Sequence, residues 1–167
     1  GPRDRTHPTD GRAVAVPALA GQYRRSVTGV RAWDDASVAA LLAEAADAVV
    51  DALAGHGDWG PSGRRAGQYT SDLAADAAVS AVLDPAGVGV LSEESGRRRP
   101  QAEVMVVVDP LDGSTNASIG LPWYATSLCA LDDGGPWAAL VVDLVSGRRY
   151  AAVRGRGATC DGERLRP

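Results

Sequence analysis

The chain has 167 residues, of which 45% are hydrophobic, and it carries a formal net charge of −4 at pH 7. This composition is typical of a globular domain and argues against an intrinsically disordered chain. The negative charge argues against a nucleic-acid partner, and no apolar run approaches the ~20 residues that cross a membrane. With two cysteines and no recognisable signal peptide, we expect a cytoplasmic protein.

The amino-terminal region divides into a segment without periodicity and a first helix. Gly1-Pro2 resembles the scar of a cleaved tag, and we expect residues 1–31 to be flexible and residues 32–167 to form the domain. Asp34 or Asp35 can cap a helix that begins near Ala36 and ends at Gly55. Apolar residues recur along it at three- and four-residue spacing, which predicts one buried stripe.

A second helix follows a glycine-rich connector, residues 55–68. The pattern predicts a helix over Ser71–Leu83, halted by the dipeptide Asp84-Pro85. Asp72 lies in its first turn, where a carboxylate interacts favourably with the helix dipole. Asp76 lies one turn further on, and we expect it to be a solvated helix residue.

The stretch Val104–Asn116 contains the clearest functional signal. Val104–Val108 predicts a buried strand, and Pro110 should end its pairing because proline cannot donate to a sheet ladder. Asp109 and Asp112 would then converge where the strand ends. Gly113 permits a close backbone approach, and one of the next three residues can cap a helix there (Ser114, Thr115, Asn116). Taken alone, Asp-Pro and Asp-Gly are equally typical of ordinary turns.

A second apolar strand, residues 87–91, runs directly into Glu93 and Glu94. Two neighbouring strands that end in carboxylates favour a hard divalent cation bound beside a phosphate group. The basic run at residues 96–100 is expected to be a solvated loop, with recruitment of an anionic substrate as the alternative.

The remainder of the chain has a β pattern. Apolar runs at residues 124–131, 137–144 and 148–153 are separated by turn sequences and predict an antiparallel meander, with further turns at 155–157 and 161–162. Two helices followed mostly by antiparallel strands indicate an α+β fold, in which both helices pack on one face of the sheet.

Residues 92–95 (Ser-Glu-Glu-Ser) and 109–116 (Asp-Pro-Leu-Asp-Gly-Ser-Thr-Asn) resemble the signature pair of the inositol monophosphatase family, a group of Mg²⁺-dependent phosphomonoesterases. The resemblance implies that residues 32–167 correspond to the amino-terminal half of a layered αβαβα fold. A carboxy-terminal half, with a further metal-ligating Asp, is not found in this sequence. Because half the fold is missing, we expect an exposed apolar face.

The resemblance also implies the site residues. Two or three Mg²⁺ would be held in the complete site by the following ligands: Glu93, Asp109, the backbone carbonyl of Leu111, and Asp112. Ser114 would orient the attacking water, with Asp72 and Glu93 as catalytic partners, and the phosphate would bind Gly113, Ser114 and Asp112. Thr70-Ser71-Asp72 is one residue short of the family's Thr-x-x-Asp spacing, which leaves Asp76 as a competitor of Asp72.

The function so implied is hydrolysis of a small phosphate monoester, such as an inositol, sugar or polyol phosphate, by two-metal activation of water. Fructose bisphosphate, a 3′-phosphoadenosine nucleotide and histidinol phosphate are alternative substrates, and a non-catalytic scaffold is the alternative class. The partners expected are a small phosphorylated substrate and either a second copy of the chain or a carboxy-terminal half. For the isolated chain we expect weak Mg²⁺ binding and poor turnover.

Overall fold

The computed structural model describes residues 33–166, so the prediction for residues 1–31 lies outside the described residues. In chain order the elements are α1 Asp35–Ala54, α2 Thr70–Ala86, β1 Gly89–Ser92, β2 Gly96–Arg98, β3 Met105–Asp112, α3 Ser114–Ser118, β4 Ala125–Asp132, β5 Gly135–Asp143, β6 Arg149–Val153, β7 Gly157–Cys160 and β8 Glu163–Arg164. The strands form one mixed sheet in the order β2-β1-β3-β4-β5-β6-β7-β8. Only β1 and β3 pair in parallel within this sheet. The predicted α+β class is confirmed.

Helix α1 begins and ends where the sequence predicted. The Asp34 side chain accepts a hydrogen bond from the Ser37 amide at 2.7 Å, and the Ser37 hydroxyl accepts one from the Asp34 amide at 2.9 Å. This reciprocal capping box satisfies amides that the first turn leaves without helical partners. The buried face of the helix is the predicted apolar stripe, which consists of Val38, Leu41, Leu42, Ala45, Ala46, Val49 and Leu53.

Helix α2 is longer than predicted, because it continues through Pro85 to Ala86. The expectation that Asp84-Pro85 would end the helix was therefore wrong. Pro85 lies in the last turn, where a missing N–H removes a bond only from the end of the helix. The helix ends at Gly87, whose φ of +77° is left-handed and favours glycine.

The basic run at residues 96–100 is not the solvated loop that was predicted, since Gly96–Arg98 forms strand β2 against β1. Asp84 at the end of α2 pairs with both Arg98 and Arg99, at 3.3 and 2.6 Å. Arg98 also donates to the hydroxyl of Ser80 at 2.8 Å. These arginines therefore fasten the β1–β2 hairpin to α2.

Strand β3 does not end at Pro110, as the sequence predicted, but continues to Asp112. Asp109 pairs with Ser127 and Asp112 with Ala125, so β3 has one residue more than β4 in this interval. Such a β-bulge tolerates proline because the extra residue leaves the ladder. The bulge changes the direction of the strand where its two acidic residues lie.

The two faces of the sheet differ. Helices α1 and α2 cover one face, and side chains from β1, β3, β4 and β5 complete the core beneath them, among them Val90, Val106, Val108, Leu128, Leu140 and Val142. The other face is open: Leu91 and Val141 are 43% and 38% exposed, and Val107 and Cys129 lie between them in the sheet. Within residues 33–166, no helix is both long and apolar enough to cross a membrane.

Candidate functional site

The parallel pairing of β1 with β3 brings their acidic ends together. Ser92 is the register partner of Val108, and the amide of Glu93 donates to the Val108 carbonyl at 3.1 Å. Glu93 and Asp109 therefore occupy adjacent positions just past this pair. Burial, followed by the charges of Asp109 and Glu94, raises the pKa of Glu93 above its usual 4.5. The sequence prediction that these two strands are neighbours is confirmed.

Asp109 lies at the start of the β3 bulge. Its Oδ1 atom accepts a hydrogen bond from the Leu111 amide at 3.2 Å, which holds the carboxylate against its own strand. Burial, and after it the charge of Asp112, raises the pKa of Asp109 above its usual 3.8. Asp112 is exposed at the end of the same strand. Asp109 therefore lies beside other negative charges, a feature common at functional sites.

Asp72 faces this acidic group from α2 and is 2% exposed. Its Oδ2 atom accepts a hydrogen bond from the Tyr69 amide at 2.8 Å. Burial raises the pKa of Asp72, and hydrogen bonds from the Tyr69 amide and the Ser114 side chain partly offset this rise. Asp72 therefore contacts Ser114 despite its shifted spacing.

Asp76 lies one turn further along α2 and makes no hydrogen bond to Asp72 or Ser114. Its Oδ1 atom accepts hydrogen bonds from the hydroxyls of Ser92 and Ser95. The expectation that Asp76 is merely solvated was wrong, because the turn after β1 packs against that face of the helix.

Gly113 links β3 to the one-turn helix α3. Its φ is +83°, and a Cβ atom there would lie 2.7 Å from the Trp123 carbonyl oxygen. The same oxygen accepts a hydrogen bond from Nδ2 of Asn116 at 2.8 Å. The prediction that Ser114, Thr115 or Asn116 caps the helix was wrong, since Gly113 occupies the N-cap and no side chain caps it. A residue larger than glycine does not fit here.

The contribution of the connector, residues 55–68, to the site was not predicted. Arg65 and Gln68 both donate to Oε2 of Glu94, at 2.8 and 2.5 Å. The Glu94 side chain is only 5% exposed, so this ion pair is largely shielded from water on its acidic side. Arg65 therefore places a positive charge beside the acidic group, from a segment whose composition indicates only a loop.

The chemistry of the donor set fits a hard divalent cation. It consists of carboxylates and a backbone carbonyl, without thiol or imidazole groups, and burial followed by neighbouring acidic charges raises the pKa values of Glu93 and Asp109. Within residues 33–166, however, no three acidic, histidine or cysteine side chains lie close enough together to hold a metal ion. The metal ligands named from the sequence therefore stay a prediction.

Comparison with known proteins gives a consistent family. The profile of the inositol monophosphatase family matches residues 70–167. A fructose-1,6-bisphosphatase from Pyrococcus furiosus is 35% identical over 106 residues, which cover 64% of this chain and 41% of that protein. The inositol-1-monophosphatase ImpA from Mycolicibacterium smegmatis is 32% identical over 148 residues, covering 84% of this chain and 54% of ImpA.

A solved structure supports the same assignment. The extragenic suppressor protein suhB from Bartonella henselae superimposes with a TM-score of 0.68 at 26% identity, covering 78% of this chain and 54% of that one. The chain thus spans about half the length, or less, of the proteins it matches. Because the family profile covers more than half of the chain and includes both acidic strand ends, the chain belongs to the inositol monophosphatase family.

Proposed function

We propose that this chain forms part of a Mg²⁺-dependent phosphomonoesterase that hydrolyses a small phosphate ester, such as an inositol phosphate or a related sugar or polyol phosphate. The observation that carries this proposal is the placement of Glu93 and Asp109 at adjacent parallel strand ends, with the buried Asp72 of α2 and the neighbouring Ser114 beside them. Membership of a family of metal-dependent phosphatases supports it.

The groups that would hold Mg²⁺ are the side chains of Glu93, Asp109 and Asp112 and the backbone carbonyl of Leu111, with two or three ions in a complete site. When bound, the ions supply Lewis-acid activation of water and neutralise charge on the phosphoryl oxygens. The repulsion that raises the pKa values of Glu93 and Asp109 supports this assignment, because a bound cation would relieve it.

The chain's own residues would orient and deprotonate the attacking water. The hydroxyl of Ser114 lies beside Asp72 and would donate to its carboxylate, which would leave the hydroxyl oxygen able to accept a hydrogen bond from water. Asp72 is buried and has a raised pKa, which brings its proton affinity closer to that of an efficient general base. The amides of Gly113 and Ser114 would contact the phosphate beside Asp112.

A depression next to this group supports a small substrate. It measures about 470 Å³, and its lining includes Asp112, Gly113, Trp123 and Tyr124. Small-molecule sites typically measure roughly 300–1,000 Å³. We assign the organic part of the ester to this depression.

Association with a second copy or with a carboxy-terminal half belongs to the same proposal. Leu91 and Val141 on the open sheet face, together with Trp123, which is 79% exposed, support it. Exposed apolar surface of this kind commonly marks an interaction site. Sedimentation velocity would test it, and a strictly monomeric chain that binds no partner would contradict it. The cytoplasmic location stays a prediction of the sequence.

The test is phosphate release from a panel of esters: inositol 1-phosphate, fructose 1,6-bisphosphate, histidinol phosphate and a 3′-phosphoadenosine nucleotide. Each is assayed in Mg²⁺ and in EDTA, with wild type, Asp112→Asn and the control Asp132→Asn. Asp132 suits the control because it is an acid of the distant β4–β5 turn that pairs with Arg154. We expect slow, Mg²⁺-dependent release that Asp112→Asn abolishes and Asp132→Asn retains.

The fructose-1,6-bisphosphatase among the relatives favours fructose bisphosphate as the second candidate substrate. Release that persists in EDTA, or in Asp112→Asn, would contradict the metal assignment. A chain that neither binds Mn²⁺ nor releases phosphate would instead support a non-catalytic scaffold.

A further inference from the structure

Helix α2 presents two acids, one helical turn apart, to different parts of the site. Asp72 lies beside Ser114, and Asp76 accepts hydrogen bonds from Ser92 and Ser95 at the turn that ends β1. Residues four apart lie on the same face of a helix, so one rigid element fixes both contacts. The proposed mechanism uses Asp72 but assigns nothing to Asp76.

Ser92 connects Asp76 to the backbone of this turn. Its side chain donates to Oδ1 of Asp76 and accepts from the amides of Glu94 and Ser95, at 3.1 and 3.4 Å. A hydroxyl has one donor and two acceptor lone pairs, so all three are used. The residue is 3% exposed, which leaves little access for water to replace a lost partner.

The orientation of this hydroxyl depends on Asp76. The Asp76 carboxylate can only accept, so it takes the hydroxyl hydrogen and turns the oxygen lone pairs toward the two amides. The Ser95 hydroxyl donates to the same carboxylate at 3.0 Å. Without Asp76, the Ser92 hydroxyl is free to rotate away from the turn.

The turn held in this way contains Glu93 and Glu94. The Glu93 amide bonds to the Val108 carbonyl, Ser92 accepts from the next two amides, and Arg65 and Gln68 hold the Glu94 side chain. We propose that Asp76 is a positioning residue that acts through Ser92 to hold Glu93 beside Asp109. This inference rests on the proposed function, which makes Glu93 a metal ligand.

A neighbouring contact provides a matched control. Asp84 fastens the same hairpin to the same helix through Arg98 and Arg99, but it makes no hydrogen bond to residues 93–95 itself. Arg98 also donates to the hydroxyls of Ser95 and Ser80, at 2.5 and 2.8 Å, and both bonds can form without Asp84. Asp84→Ala therefore loosens the hairpin without freeing the Ser92 hydroxyl. In Asp76→Asn, the amide oxygen can still accept from both serines.

The first experiment measures amide hydrogen exchange of residues 93–95 by NMR in metal-free buffer, with the full chain. We expect exchange at Glu94 and Ser95 to rise about tenfold or more in Asp76→Ala and in Ser92→Ala. Asp76→Asn and Asp84→Ala should stay close to wild type. Equal acceleration in Asp76→Ala and Asp84→Ala would overturn the proposal.

The second experiment titrates the same variants with Mn²⁺ and follows the free ion by electron paramagnetic resonance. Loss of a residue that orients a ligand weakens metal binding by roughly 10–100-fold, so we expect about a tenfold rise in Kd for Asp76→Ala. Asp76→Asn should restore the affinity, and Asp84→Ala should leave it unchanged. Adding Asp76→Ala to Ser92→Ala should cost less than Asp76→Ala does alone, because the two residues share one contact and only the Ser95 bond to Asp76 remains to be lost.

The two proposals fail differently. Wild type that binds Mn²⁺ while Asp76→Ala binds it equally well overturns only the role of Asp76. Wild type that binds no Mn²⁺ overturns the proposed function, and the positioning role with it.

Discussion

The substitution Asp109→Asn tests whether the acidic strand ends form a cation site or a structural cluster. It replaces a half-buried carboxylate with an amide of nearly the same shape, and the amide oxygen can still accept the Leu111 N–H bond. Burial is the largest cause of the raised pKa of Asp109, and the charges of Asp112, Glu94 and Asp72 raise it further. Replacing the Asp109 carboxylate with a neutral amide therefore removes its repulsion by these acids in the folded state.

The expected difference in unfolding free energy between Asp109→Asn and wild type changes sign between EDTA and Mg²⁺. A solvent-accessible charge pair contributes roughly 0.2–1 kcal/mol, so relief of these repulsions should stabilise Asp109→Asn by about 1 kcal/mol in EDTA at pH 7. Mg²⁺ at ten times its Kd should stabilise wild type by about 1.4 kcal/mol. The variant should gain almost nothing, so wild type becomes the more stable protein in Mg²⁺.

Urea unfolding followed by circular dichroism, in EDTA and in Mg²⁺ at equal ionic strength, measures both free energies. Asp132→Asn is the control, because that acid pairs with Arg154 and lies outside the site. It should lose up to about 1 kcal/mol in both buffers alike. The reasoning is refuted if Asp109→Asn is destabilised in EDTA, or if it keeps the full response to Mg²⁺.

Three further predictions follow from the same contacts. Gly113→Ala should lose more than about 2 kcal/mol of unfolding free energy, because a left-handed φ costs about 1–2 kcal/mol and the new methyl meets a carbonyl oxygen at 2.7 Å. Gly63→Ala, at φ +72° with no atom within 4 Å, should lose only about 1 kcal/mol, and equal losses would refute the packing argument. Arg65→Gln should cost about 1 kcal/mol in urea unfolding through its bond to Glu94, whereas the nearby Arg64→Gln should stay within about 0.5 kcal/mol. In EDTA, the stability of wild type relative to Asp109→Asn should rise as pH falls from neutral toward the usual carboxyl value of 3.8, because the native state holds the Asp109 proton more tightly than the unfolded chain does. A relative stability that falls over this range would contradict the sign.

Local patterns predicted the elements whose causes lie in neighbouring residues. The cap at Asp34 and the apolar stripe of α1 are contained within one segment, and both follow the prediction, although the reciprocal bond from Ser37 was not predicted. The path of β3 past Pro110 depends on a bulge against β4, which only the paired strand reveals. Strand β2 was missed because Arg98 and Arg99 find their partner, Asp84, on another element.

The residues of the site also divide into those that local sequence patterns predicted and those that depend on tertiary contacts. Glu93 and Asp109 were named because two apolar runs end in acids, and the parallel pairing of those runs brings the acids together. Asp76 and Arg65 act through tertiary contacts with Ser92 and Glu94. An aspartate within a helix and an arginine in a glycine-rich connector look like solvated residues until those partners are known.

The directions of the carboxyl pKa shifts across the described residues also support the site. Elsewhere in residues 33–166, acids with perturbed pKa values have them lowered, by hydrogen bonds or arginines, as at Asp84 and Asp132. The raised carboxyl values belong to Asp72, Glu93 and Asp109, all at the acidic strand ends or facing them. At the acidic strand ends such hydrogen bonds and arginines do not outweigh the effect of burial. Burying three acidic residues close together lowers the stability of the fold. Such a cost is typical of a site that an external cation completes, because the charge that destabilises the empty fold is the charge that attracts the ion.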